Sequence, residues 1–172
     1  MGREYSYGWY LCVPENFPNV YQTKVALGQF KQEEVGHPPV RFQNCSGGYW
    51  LDMNQILGEA RGYKKLIDEG DFRGKWHDIV VHAKWCTGRE GFVKVWINGE
   101  LKTEVNGRNT YYNEPIHFRY GVYRTYLNRY GKGVPTQIVY FYEVRKGLAR
   151  EDVDLRLRGG FGKEPSSRPF SW

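Results

Sequence analysis

Three short stretches place chemically useful residues on the polar side of an alternating pattern. In Arg119-Tyr120-Gly121-Val122-Tyr123 a period of two puts Arg119, Gly121 and Tyr123 on one face, with Phe118, Tyr120 and Val122 on the other. A guanidinium and a phenol then flank a bare glycine, where a ligand can approach the backbone closely. In Val25-Ala26-Leu27-Gly28-Gln29-Phe30-Lys31, Gln29 and Lys31 share a face, again beside a glycine. In Asp78-Ile79-Val80-Val81-His82-Ala83-Lys84-Trp85, Ile79, Val81, Ala83 and Trp85 form an apolar side, and His82 and Lys84 point the opposite way. An amide, several cations, an imidazole and a phenol can neutralise carboxylates and move protons, so the set suits a carboxylate-bearing sugar chain. Each stretch taken alone also reads as an ordinary solvated sheet face. A lone histidine such as His82 is more often a satisfied structural residue.

The elements that must position these groups are strands. Period-two alternation broken by turn residues gives candidates near 5–13, 22–31, 39–45, 48–55, 61–67, 76–85, 91–98, 100–106, 116–124 and 136–146. Such spacing, with little helical periodicity, predicts an all-β sandwich or jelly roll rather than a parallel α/β fold. The composition agrees: aromatics are 17% of the 172 residues, with 21 glycines among them. Phe92 to Ile97 alternates into Asn98-Gly99, the signature of a tight hairpin. Pro14, Pro18, Pro38, Pro39, Pro115 and Pro135 fall between strands or at their ends, where they delete no central ladder hydrogen bond. Weak helical stretches are confined to Ile56–Ala60 and Glu151–Leu157. One domain is expected over residues 1–147, followed by a partly irregular, mobile tail over 148–172 rich in charge, glycine, serine and proline. Tyr7, Trp9, Trp50, Trp96, Tyr112 and Tyr126 could stack on sugar rings, but a sandwich of this size needs most of its aromatics for the core.

The net charge of +6 points to a polyanionic partner, or to a protein that is simply basic. No RNP-like strand or zinc spacing supports nucleic acid as that partner. Two carboxylates alternating on one strand, as a sandwich-fold glycoside hydrolase would place them, are also missing from the sequence. Cys12, Cys45 and Cys86 have no metal-ligand spacing and read as free thiols. No apolar run approaches membrane-spanning length, and the first residues lack a signal-peptide layout, which suits a phage-borne protein, a cytoplasmic one or one whose leader has been removed; the sequence does not choose among them.

Several ordered stretches together resemble the polysaccharide lyase superfamily with a concanavalin-like jelly roll: the heparin lyase I type, glucuronan lyases and, more distantly, alginate lyases. They are Tyr7-Gly8-Trp9-Tyr10-Leu11-Cys12-Val13-Pro14-Glu15-Asn16-Phe17-Pro18, Leu27-Gly28-Gln29-Phe30-Lys31, Trp76 to Trp85, the hairpin Gly91–Gly99, Tyr120-Gly121-Val122-Tyr123-Arg124 and Val139 to Val144. The resemblance spans roughly residues 5–146 and implies a concanavalin-like β-sandwich of two antiparallel sheets. The implied activity is β-elimination at a uronic acid in an anionic polysaccharide.

That reaction needs a group to neutralise the C5 carboxylate, a base for the C5 proton and an acid for the leaving oxygen. By position, the resemblance assigns Gln29 to the carboxylate and Tyr123 to acid, or to base and acid together. Lys31 stands where relatives carry the histidine of Gln-x-His. His82 matches a histidine frequent in this group's Trp-x-Asp-Ile-Val-x-His strand, as a catalytic or a structural residue. Arg119 would hold substrate carboxylates, with Lys84, Arg124 and Trp96 completing the substrate-binding set. A phenol of ordinary pKa, about 10, is a poor base unless a cation such as Arg119 stabilises the phenolate. The elimination requires no cofactor. Some relatives bind calcium, for which Glu143, aligned with their aspartate, is the candidate ligand. The chain also begins close to its Tyr-Gly-Trp strand, without the family's preceding Arg-x-Glu strand. The alternative to an enzyme is a non-catalytic, lectin-like jelly roll, as a phage-borne protein would carry.

Overall fold

The computed structural model of the protein describes residues 3–33, 36–131 and 133–157. Ten strands run in chain order: β1 Arg3–Cys12, β2 Lys24–Lys31, β3 Val40–Asn44, β4 Tyr49–Asp52, β5 Tyr63–Ile67, β6 Trp76–Trp85, β7 Phe92–Ile97, β8 Glu100–Asn106, β9 His117–Thr125 and β10 Tyr140–Gly147. They form two five-stranded sheets, β10-β1-β6-β7-β8 and β5-β4-β3-β2-β9. All ladders between these strands are antiparallel. The sheets pack as an all-β sandwich, and every strand read from alternation is present. The helical readings shrink to single turns: Asn54–Leu57, Glu59–Gly62 and Glu69–Phe72, with 3-10 turns at Leu127–Tyr130 and Arg150–Asp152. Among the described residues, no helix is long and apolar enough to cross a membrane.

The core lies between the sheets and is built by period two. From the first sheet come Tyr7, Trp9, Leu11, Ile79, Val81, Ala83, Val93 and Val95; from the second come Val25, Leu27, Phe30, Phe42, Tyr49 and Leu51. Trp9 meets Phe42 edge-on at 5.3 Å between ring centroids, and Phe30 packs on Phe118 at 4.9 Å. Each buried ring contributes up to about 3 kcal/mol from area alone. Tyr7 and Trp9 are therefore core residues.

Strand β2 breaks the alternation once. Counting every second residue inward from Val25 would bury Gln29 and expose Phe30. Ala26 pairs with Gln43 while Gly28 pairs with Phe42, so Leu27 is an extra residue in the ladder. The bulge turns Leu27 and Gly28 both toward the core and returns Gln29 to the outer face. Gly28 sits where a Cβ would lie 3.4 Å from the Phe118 ring.

The stretch from 148 to 157 is docked rather than mobile, a correction to the sequence reading. Val153 is fully buried, and Asp154 is buried against Arg150 at 2.6 Å. Arg156 reaches the buried Asp78 of β6 at 3.3 Å. Residues 158–172, the rest of the expected tail, lie outside the described residues. All three cysteines are free, and burial pushes the Cys12 and Cys45 thiols up to about 11.

His77 gives the fold a dependence on pH. Its ring is buried against Phe72, Nε2 lies 3.2 Å from the Phe72 carbonyl, and Nδ1 has no partner. Burial holds its pKa below the ordinary value near 6.5, despite the Phe72 hydrogen bond. The unfolded chain thus takes up a proton before the folded one does. The stability from neutral His77 is complete above about pH 6.5 and is lost as pH falls toward the folded value. Thermal melts at neutral and mildly acidic pH should show a larger acid-induced drop for wild type than for His77→Gln; equal drops would refute this role.

Candidate functional site

The outer face of the second sheet carries two rows of side chains set by strand register. One row runs Tyr63, Asp52, Arg41, Gln29, Arg119 across β5, β4, β3, β2 and β9. The next runs Lys65, Trp50, Gln43, Ala26, Tyr123. Where the rows meet β9, a shallow cavity of ≈ 160 Å³ is lined by Ala26, Gly28, Gln29 and Arg119–Tyr123. Arg119, Gly121 and Tyr123 line it together with Gln29, but so do Tyr120 and Val122, which alternation had set on the other face. Gly121 has φ +131°, and a Cβ there would meet nothing within 4 Å. The glycine lets β9 hold a positive φ and leaves the cavity floor open.

Electrostatics concentrate on the first row. Arg41 Nη2 lies 3.2 Å from Asp52 Oδ2, and the Asp52 side chain is fully buried. Gln43 Nε2 donates to the same oxygen at 2.9 Å, and the Asn54 N–H donates to Oδ1 at 3.0 Å. Two buried atoms in this row remain unpaired within the protein: Gln29 Oε1 and Arg41 Nε. Buried polar atoms are normally satisfied, so such a pair is a site at which to look for a ligand.

A loop closes over one side of the face. Gln32, fully buried, accepts at Oε1 from the Tyr111 and Tyr112 N–H groups, and its Nε2 donates to the Tyr112 and Glu114 carbonyls. Its four bonds pin residues 111–114 beside the sheet. Burial raises the Tyr111 pKa, while the cations Arg41 and Arg108 oppose the rise.

Residues 1–145 match the family described as "Polysaccharide lyase". The chain belongs to the polysaccharide lyase family. No curated protein matches it by sequence. Among solved structures it is similar to the endo-β-1,4-glucuronan lyase of the fungus Trichoderma reesei, with a TM-score of 0.69 and 20% identity over 88% of this chain and 71% of that one. Alginate lyase Aly36B superposes with a TM-score of 0.53 at 13% identity, covering 83% of this chain and 68% of that one. The receptor-binding domain of a botulinum neurotoxin mosaic serotype C/D gives a TM-score of 0.56 at 14% identity, over 92% of this chain and 37% of the other. Likeness at these identities is one of fold, and this fold is shared with a receptor-binding domain.

In this polysaccharide lyase family member the remaining candidates lie elsewhere. Lys31 pairs with His117 one step along the same face, two residues beyond the Gln29–Arg119 pair. His82, Lys84 and Trp96 are on the outer face of the opposite sheet, separated from Tyr123 by the whole core. His82 is held by Ser6 Oγ at 2.6 Å and by Glu4 at 2.8 Å. Trp96 is buried under the docked segment, against Val153 and beneath the Arg150 guanidinium at 4.2 Å. It is therefore closed to a sugar ring, and its place in the substrate-binding set is corrected. Arg124 pairs with the inward-facing Val25 and so points away from the side of Tyr123.

Glu143 does not fit a calcium site. It lies on the first sheet, its carboxylate is 2.8 Å from Arg145, and no group of three or more His, Cys, Asp or Glu side chains among the described residues is arranged for a metal. Arg41, Gln43 and Asp52 were missed as candidates, whereas Trp50 was among the rings that could stack on a sugar; the alternation of Val40-Arg41-Phe42-Gln43 was the signal that places Arg41 and Gln43 outward.

Proposed function

We propose that the protein cleaves a uronic-acid-containing polysaccharide by β-elimination on the outer face of the second sheet. The observation that carries this reading is the Gln29 amide set between Arg41 and Arg119, one row from the exposed phenol of Tyr123. A uronate carboxylate lying over this row accepts hydrogen bonds from the Gln29 amide and from Arg119. Neutralising its charge acidifies the C5 proton, because the electron pair left on C5 delocalises into the carboxylate. Tyr123, acting as its phenolate beside Arg119, takes that proton and becomes the phenol, the C5 pair forms the C4–C5 double bond, and the C4–O4 bond breaks. The phenol then returns its proton to the departing O4, so no other reagent is consumed.

The test is the ultraviolet absorbance of the unsaturated uronate, followed with purified protein on glucuronan, alginate, heparin, heparan sulfate and pectate. At least one polymer should give a steady rise, and Gln29→Leu should slow it about 100-fold, as expected when a donor aimed at developing charge is removed. Lys31, where lyase-like relatives carry histidine, favours a second reading: a binding module without catalysis. Retention in affinity electrophoresis with no absorbance rise on any polymer would select that reading over the first.

A further inference from the structure

A second cavity, of ≈ 600 Å³, lies apart from the one beside Tyr123. It is lined by Tyr21, Gln22, Thr23, Lys24, Cys45, Ser46, Trp50, Tyr63 and Arg129. Its volume lies within the roughly 300–1,000 Å³ of small-molecule sites. Two cations and three aromatic rings line it, and none of the lining residues is acidic.

Its polar groups are held in place. The Tyr63 oxygen accepts from Lys24 Nζ and from Asn54 Nδ2, which leaves the phenol its own proton to donate. Trp50 is fixed by its Nε1–H donating to the Gly47 carbonyl at 2.8 Å, with Lys65 Nζ 5.3 Å from its ring centre. Tyr21 is 62% exposed and Arg129 is exposed, so one wall is open to solvent. Aromatic faces take the apolar side of a sugar ring, and Lys24 and Arg129 supply charge for a carboxylate.

The cavity also joins the candidate catalytic face. Trp50 stands on the row of Tyr123, three strands away, which is about 14 Å at ~4.8 Å per strand. We propose that this cavity is a distal subsite for an acidic sugar unit of a polymer whose reacting unit lies over Gln29 and Tyr123. The inference rests on the uronate reading above and adds a length requirement to it: only chains of several units reach both places.

The experiment compares wild type with Tyr21→Ala/Arg129→Ala, both exposed positions, on size-fractionated glucuronan and alginate oligosaccharides from disaccharide to octasaccharide. KM is measured where cleavage occurs, and Kd by calorimetry in either case. Long chains should lose about 10-fold in KM or Kd while the shortest are unaffected, the pattern of a lost remote contact. Trp50→Phe, which keeps a ring, should show a smaller loss with the same length dependence. If wild type handles uronates and the double variant matches it at all lengths, or weakens all lengths equally, the subsite is refuted and the uronate reading stands. If wild type neither cleaves nor binds any of these chains, both fall together.

Discussion

Tyr123→Phe should lower turnover on the cleaved polymer about 1,000-fold, in the middle of the range for removing a group that transfers protons in the transition state. The substitution removes one oxygen and keeps the ring. Tyr123 is 56% exposed at the edge of the second sheet, so the variant should melt with wild type, surface changes of this kind costing little. Binding should persist, because Gln29 and Arg119 still meet the carboxylate. Affinity electrophoresis should therefore show equal retention of the two proteins while the absorbance of the variant stays flat. A variant that cleaves at the wild-type rate would remove the phenol from the chemistry and leave His117 or Lys31, paired further along the same face, as the groups to examine. A variant that loses binding and activity equally would make Tyr123 a contact rather than an acid or base.

The sequence carried the strands well, because their inward residues repeat at period two and their turns hold glycine, proline or Asn-Gly. Arg119, Gly121 and Tyr123 were picked out by the same rule, but β9 shifts register against β2 between Tyr120 and Tyr123, and all five residues from Arg119 to Tyr123 line the cavity. Gln29 is different. Its outward direction depends on Leu27 being an extra residue in the ladder, and a bulge is a property of two paired strands that one strand's pattern does not contain. For the same reason, His82 and Lys84 could be read as outward-facing but not assigned to a sheet. Alternation gives a face; only pairing order says which side of the sandwich that face is on. The segment from 148 to 157 was read as a free tail because its composition is polar. Its attachment comes from Val153 and from Arg156 meeting Asp78, a contact between residues 78 positions apart.

Asp52 is where fold and site depend on the same atoms, and substituting it should have the largest effect on stability. Its buried carboxylate answers Arg41, the Gln43 amide and the Asn54 N–H together. Asp52→Asn puts an amide N–H where one of these donors must point and leaves the guanidinium without a counter-charge, at a cost of about 3–5 kcal/mol. For a chain of this length that is a fall of roughly 10 °C in melting temperature. Arg41→Met should also destabilise, by stranding the carboxylate. The double variant Arg41→Met/Asp52→Leu should cost about 2 kcal/mol less than the sum of Arg41→Met and Asp52→Leu made singly, since it removes both charges at once. Full additivity in denaturant melts would mean that the two residues do not act as a pair. The double variant also separates scaffold from chemistry. Arg41 flanks Gln29 on β3 as Arg119 does on β9, so removing it should weaken uronate binding even where part of the stability has been recovered. On the proposed reading, the buried pair keeps a cation beside the amide that would receive the carboxylate, at a position where an unpaired arginine would destabilise the sheet.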